Sequence, residues 1–309
     1  MWSLTATLTY LKLKCLATLV RVYYRLFETG PPATMHYDSI LNIPSRDAGR
    51  TIKTHVYEST LPHSGPRPVL INLHSSGFVL PLHGTGDAFS HHIATHTPYT
   101  VLDASYRLSP EYPFPAALND STDVINHVLS QPDRYDTTRI SVSGFSAGGT
   151  LALVAALLTF PKDTFRSILA YYPPTKQSQD HGSKAAPDPS GHPIPGPIGR
   201  IFTASYCFHP VAPYDPADPR ISPYFAPLAN LPARILFVTC ACDSLAPETE
   251  ELAQRAQAEA GPGIRVVSRR MPGCDHSWDI SPNLGPLQRK ARDDAYALAV
   301  AMLNEQEVE

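Results

Sequence analysis

The stretch Arg139-Ile140-Ser141-Val142-Ser143-Gly144-Phe145-Ser146-Ala147-Gly148-Gly149, followed by Thr150 to Leu158, decides the reading of this chain. It runs from a β-prone segment, Arg139–Ser143, through a G-x-S-x-G turn into an apolar helical pattern. That order is a strand, a sharp elbow and a helix, which lifts the serine clear of a sheet. Small neighbours let the backbone turn without side-chain collision, and the helix N-terminus behind it favours developing negative charge.

Working outward, strand candidates fall at 35–43, 51–58, 68–74, 99–105, 138–144, 166–172, 234–241 and 264–271. Several are nearly continuous in apolar residues, as strands buried on both faces tend to be. Helical patterns occupy 86–97, 115–130, 147–160, 246–260 and 284–304. The alternation predicts an α/β fold with a mostly parallel, eight-stranded sheet flanked by helices.

Two segments stand outside this rhythm. Leu4, Leu8, Leu11, Cys15, Leu19, Val22 and Leu26 recur at the spacing of one helix face, flanked by Lys12, Lys14, Arg21 and Arg25. Leu13, Val20 and Tyr24 make the opposite side apolar as well, which suits a helix lying over a ligand cavity and ending at Thr29-Gly30-Pro31-Pro32. The lysines interrupt the run that a secretory signal would need. A peripheral membrane contact through this helix is the competing reading. The second segment holds thirteen of the chain's 32 prolines, from Pro173 to Pro227. Regular helix can occupy only parts of it, so it reads as an insertion, ordered in its second half and mobile around 176–192. The expected organisation is one domain, 1–309, with cap elements at 1–30 and about 173–230.

A formal net charge of −3 over 309 residues excludes the basic footprint of a nucleic-acid binder. Five scattered cysteines, Cys15, Cys207, Cys240, Cys242 and Cys274, form neither a disulfide framework nor a zinc spacing, and point to a reduced, cytoplasmic protein. His91, His92 and His96 share a helix but lack a second ligand cluster, so no metal is expected. The acidic residues of Glu248–Glu259 read as a helix's wet face.

A serine hydroxyl is a poor nucleophile unless a base and an orienting carboxylate accompany it. With this elbow they follow from loops after later strands, acid before histidine. Asp243 lies just beyond the 234–241 strand, and His276 just after the 264–271 strand. Asp275 and Asp279 are rival carboxylates too near His276 in sequence to sit on a separate loop.

His74-Ser75-Ser76-Gly77-Phe78 resembles the H-G-G-G-F/W signature of the hormone-sensitive-lipase-like serine esterases of the α/β-hydrolase superfamily. Tyr106-Arg107-Leu108-Ser109-Pro110-Glu111-Tyr112-Pro113-Phe114-Pro115-Ala116-Ala117 is similar to that family's Y-R-L-A-P-E-x-x-F-P-A-A stretch. Asp218-Pro219-Arg220-Ile221-Ser222-Pro223, Leu231-Pro232 and Asp243-Ser244-Leu245-Ala246-Pro247-Glu248 echo its later landmarks, so the resemblance spans roughly 60–280. It implies an α/β-hydrolase fold, a carboxylic-ester hydrolase and no metal or organic cofactor. It also implies an oxyanion hole from the N–H groups of Ser76, Gly77 and Ala147, with His74, Ser75, Arg107 and Glu111 supporting the loops. Ser75 and Ser76 stand where the family usually has glycines, which narrows the acyl pocket, and Phe145 replaces an Asp often found before the nucleophile.

The expected substrate is a small apolar ester with a modest acyl group, contacted by Phe78, Phe145, Phe202, Tyr206 and Tyr214; Phe208 and Tyr224 lie in the same aromatic set. A homodimer is compatible with the sequence. A lyase, cyclase or acyltransferase on the same scaffold, or a non-catalytic small-molecule receptor, would share these motifs. The intact Ser, Asp, His order favours hydrolysis.

Overall fold

The computed structural model describes residues 2–28 and 35–307. Eight strands form one sheet: β1 Ser39–Pro44, β2 Thr51–Tyr57, β3 Arg67–Leu73, β4 Thr100–Ala104, β5 Tyr135–Phe145, β6 Ser167–Tyr171, β7 Arg234–Cys240 and β8 Arg265–Met271. Their order is β1-β2-β4-β3-β5-β6-β7-β8. The β1/β2 and β2/β4 pairs are antiparallel and all pairs from β4/β3 to β7/β8 are parallel.

The strand period of two sorts side chains between two cores. Val69, Ile71 and Leu73 of β3 face one layer, with α3 (Ala116–Leu129), α4 (Ala147–Val154) and α6 (Ala246–Glu259) packed on it through Val124, Leu151 and Leu252. Leu70 faces the other, where α2 (Asp87–His96) and α7 (Pro286–Leu303) bring Phe89, Ile93, Ala295 and Met302. Both faces are covered, which accounts for the near-continuous apolar runs of β3, β6 and β7. The chain reaches Ser39 before the first strand begins. Tyr37 instead stacks on the His55 ring, with centroids 4.3 Å apart.

Two helices lie outside these layers. α1 (Leu4–Tyr23) continues into a π turn, Tyr24–Glu28, and rests against α5 (Gly196–Tyr206), a helix inside the proline-rich segment. Ala17 and Val20 meet Phe202, Val79 and Leu80 in a small third core. Arg21 fixes the register, donating to both carboxylate oxygens of Glu111 at 2.8 Å, to the Ser109 carbonyl and to the Val79 carbonyl. The helix therefore docks through the face of Leu13, Val20 and Tyr24, while the longer leucine stripe faces outward. The expected stop at Thr29-Gly30-Pro31-Pro32 lies outside the described residues. Among the described residues no helix is long and apolar enough to cross a membrane.

The segment expected to be mobile, 176–192, is held by polar groups instead of apolar ones. Glu248 is buried, accepts the Thr175 and Lys176 N–H groups at 2.8 and 3.0 Å, and pairs with a buried Lys184. The Asp188 N–H donates to the Ala241 carbonyl at 2.8 Å. Glu248 thus leaves the wet face assigned to it from sequence, because the incoming segment supplies its partners.

Candidate active site

Ser146 stands at the end of β5 with φ +51°, a strained conformation for a residue with a Cβ. Its N–H is anchored on the Tyr171 carbonyl of the neighbouring strand at 2.9 Å. The flanking glycines allow the approach. A Cβ on Gly148 would overlap the Leu73 carbonyl and come 2.7 Å from the His74 oxygen, and one on Gly144 would run into the Gly148 backbone.

The three residues singled out by order and spacing converge. His276 Nε2 lies 2.9 Å from Ser146 Oγ, and His276 Nδ1 lies 2.6 Å from Asp243 Oδ2. Asp243 is fully buried at the end of β7, and its other oxygen accepts the Leu245 N–H at 3.0 Å. The rival carboxylates are engaged elsewhere. Asp275 accepts the His192 N–H, whereas Asp279 is buried between the hydroxyls of Tyr172 and Tyr296. Burial pushes the Asp279 carboxyl above its ordinary value. Tyr172 meets the His276 ring edge to face at 4.9 Å, so Asp279 acts on the position of the imidazole through one intermediary.

Opposite the serine, the loop after β3 turns through positive φ at Gly77 (+54°) and Phe78 (+61°). A Cβ on Gly77 would come within 2.5 Å of the Phe202 ring, so glycine is required where α5 crosses the loop. Ser76 replaces a glycine without obstructing the cleft through its hydroxyl. Its Oγ is turned into the loop, accepting from the Phe78 N–H and sharing a hydrogen bond with Tyr106, each at 2.8 Å, while the Tyr106 hydroxyl donates to the His74 carbonyl at 2.6 Å. Ser75 and Ser76 both line the cavity. His74 lies behind, stacked on Tyr106, and burial lowers its imidazole to about 3, so it is a neutral packing group. Ala147 is the first residue of α4, where N–H groups lack intrahelical acceptors.

Ser146 and His276 open onto a cavity of about 1080 Å³, at the upper end of small-molecule sites. Phe78 and Phe202 line it as expected. Phe145, Tyr206 and Tyr214 do not. Phe145 points down into the second core between Phe89 and Tyr171, Tyr206 stacks behind Phe78 at 3.7 Å, and Tyr214 packs on Phe114. Phe208 goes to Trp2 and Tyr10, and Tyr224 to Lys176 and Glu251. The wall that sequence reasoning missed comes from Tyr23 and Tyr24, from Ile198 of α5, and from Trp278 to Gln288. The inner apolar face of α1, with Tyr24, and the cap expected at about 173–230, with Ile198, signalled part of it; Tyr23 and the stretch after Trp278 carried no signal.

Of the other expected groups, Arg107 and Glu111 are structural. Arg107 binds the fully buried Asp120 through Nη2 at 2.8 Å, and Glu111 holds α1. Burial pushes the Cys207 and Cys274 thiols up to about 12 and leaves Cys240 far above its usual value, so these sulfurs pack as neutral groups. His91, His92 and His96 stay together on α2, with His92 stacked on His96. His55, His83 and Asp103 form a separate polar cluster behind the His74 loop, with their ligand-type atoms within 4.8 Å of one another.

Residues 70–280 match the alpha/beta hydrolase fold family across about two thirds of the chain. The chain belongs to that family, in its carboxylesterase branch. An ethyl acetate hydrolase of Pseudomonas putida is 27% identical over 254 residues, covering 78% of this chain and 75% of its own length. The carboxylic ester hydrolase LipN of Mycobacterium tuberculosis is 29% identical over 270 residues, covering 81% and 67%. A thermostable carboxylesterase from a metagenomic library superimposes with a TM-score of 0.76 at 26% identity, covering 94% of this chain and 97% of that one. In this hydrolase the mostly parallel eight-stranded sheet flanked by helices is the fold that the resemblance implied.

Proposed function

We propose that this hydrolase cleaves carboxylic esters through an acyl-enzyme on Ser146. The observation that carries the reading is the unbroken line from Asp243 Oδ2 through His276 to Ser146 Oγ, at 2.6 and 2.9 Å. His276 removes the serine proton as Ser146 attacks the ester carbonyl, and Asp243 holds the imidazole and stabilises its cationic form. The N–H groups of Ser76, Gly77 and Ala147 receive the oxyanion. His276 then protonates the departing alcohol, and water, deprotonated by the same imidazole, releases the acid.

The substrate reading follows from the cavity. Its size accommodates a bulky apolar alcohol, and the ethyl acetate hydrolase among its relatives supports a short acyl group such as acetyl. α1 and α5, which belong to the cap elements expected at 1–30 and about 173–230, supply the roof of the cavity and act as a cap on a single domain.

An organophosphonate should label the wild-type chain at Ser146 with loss of activity. Ser146→Ala should fold, resist labelling and lose hydrolysis of p-nitrophenyl acetate. Active-site labelling that persists in the variant overturns the assignment, and a preference for long-chain over acetyl esters overturns the acyl-group reading.

A further inference from the structure

Among the described residues nothing covers the outward face of α1. At 100° per residue, Leu4, Leu8, Leu11, Cys15, Leu19, Val22 and Leu26 fall within an arc of about 80°, opposite the buried Ala6, Leu13, Ala17 and Val20. All seven are exposed, Leu4 at 77% and Leu26 at 67%. A ridge of this length is unusual on a soluble surface and marks an interaction site. Its chemistry selects the occupant. Residues 1–27 contain two lysines, two arginines and no acidic residue. On the helical wheel the exposed Lys12 borders one edge of the stripe, and the exposed Lys14 and Arg25 border the other. Trp2 and Tyr23, aromatic residues of the kind that settle at headgroup depth, lie near its two ends and are about half exposed.

We propose that α1 lies flat on an anionic lipid surface, its leucine ridge in the acyl boundary and its basic borders at the headgroups. The helix lies on the membrane without crossing it, in keeping with the interrupted apolar run. Tyr23 and Tyr24 at the end of this helix also line the catalytic cavity, so docking brings that rim to the interface from which an apolar ester would be delivered. Lipid binding does not depend on Ser146, and its test is separate from that of the proposed reaction.

Cys15 provides the probe, because it sits in the middle of the ridge and the other four cysteines are buried. The full chain, labelled there with an environment-sensitive nitrobenzoxadiazole maleimide, is mixed with vesicles of phosphatidylcholine alone or with phosphatidylserine. Emission should shift to the blue and rise several-fold on the anionic vesicles. Partitioning should be at least about tenfold weaker on neutral ones and weaken with added salt. Replacing Leu8, Leu11 and Leu19 together by Glu should reduce partitioning about tenfold or more without changing turnover of a soluble ester. An unchanged probe spectrum on anionic vesicles overturns the proposal, as does undiminished binding by the triple variant. A probe shielded without lipid, in a dimer that the triple variant dissociates, overturns it in favour of a contact between two copies of the chain.

Discussion

Gly148→Ala tests whether the elbow and the oxyanion loop form one rigid unit. The added Cβ would overlap the Leu73 carbonyl, with the Leu73 carbonyl carbon at 2.5 Å and the His74 oxygen at 2.7 Å, where ordinary contact begins near 3.4 Å. The obstructing atoms are backbone, so no rotamer change relieves the clash. Relieving the 2.5 Å contact alone takes about 0.9 Å, and the overlapping carbonyl oxygen demands more, so the start of α4 must move by more than about 0.9 Å from the end of β3. That gap separates Ser146 and Ala147 from Ser76 and Gly77, whose N–H groups are the proposed oxyanion donors. Misplacing a reacting group by about 1 Å, or removing one oxyanion donor, costs on the order of 10²–10³ in turnover. Overpacking at the same site should cost about 1–3 kcal/mol of stability. Gly261→Ala is the control, since its Cβ would meet nothing within 4 Å and no positive φ is needed there. Gly149→Ala should fall between them, its nearest contacts being 3.0 Å. The assay is kcat and KM on p-nitrophenyl acetate, normalised by active-site titration, with a thermal melt for each variant. A folded Gly148→Ala enzyme with kcat within threefold of wild type would refute the close-approach argument.

Asp243→Asn should keep the fold and lower kcat by about 10⁴, because the imidazole loses the carboxylate that orients it and stabilises its charge; a pre-steady-state burst assay measures the loss. Lys184→Ala should destabilise by about 3–5 kcal/mol in urea unfolding by leaving a buried Glu248 unpaired, and Glu248→Gln in that background should recover part of it. His74 and His55 are held neutral, at about 3 and about 4, by burial above all. The unfolded chain therefore binds more protons than the native one below pH about 6.5, so these sites make stability fall as pH is lowered from there through about 4 for His55 and about 3 for His74. Melting temperature between pH 5 and 8 should show that decline, and His55→Asn should flatten it.

The core was legible because its signals are local. Runs such as Val69–Leu73 and Ile235–Val238 carry their burial in composition, and the glycines around Ser146 announce an elbow that admits few other residues. Strand order singles out Asp243 and His276, whose side chains lie in line with Ser146. α5 was not legible, since the prolines around it hide an eleven-residue helix that begins with Pro197 in its first turn, where proline is tolerated. The lining aromatics were misjudged for a related reason: Phe145, Tyr206 and Tyr214 present aromatic rings as Phe78 and Phe202 do, and only the three-dimensional direction of each ring separates wall from core.

α1 and Glu248 show what periodicity leaves undetermined. A helical pattern identifies an apolar face but not which of two such faces meets the protein, and on α1 the richer stripe is the outer one. What selects the inner face is Arg21, whose guanidinium needs the Glu111 carboxylate and two carbonyls to leave water. Small Ala17 and moderate Val20 let the helix approach Phe202 closely, whereas the longer leucines of the other stripe would hold it away. The same logic buries Glu248 on an otherwise acidic helix face, because Lys184 and two backbone N–H groups arrive from a segment more than sixty residues earlier. A polar partner remote in sequence thus decided both orientations, and neither one could be read from the helix that carries it.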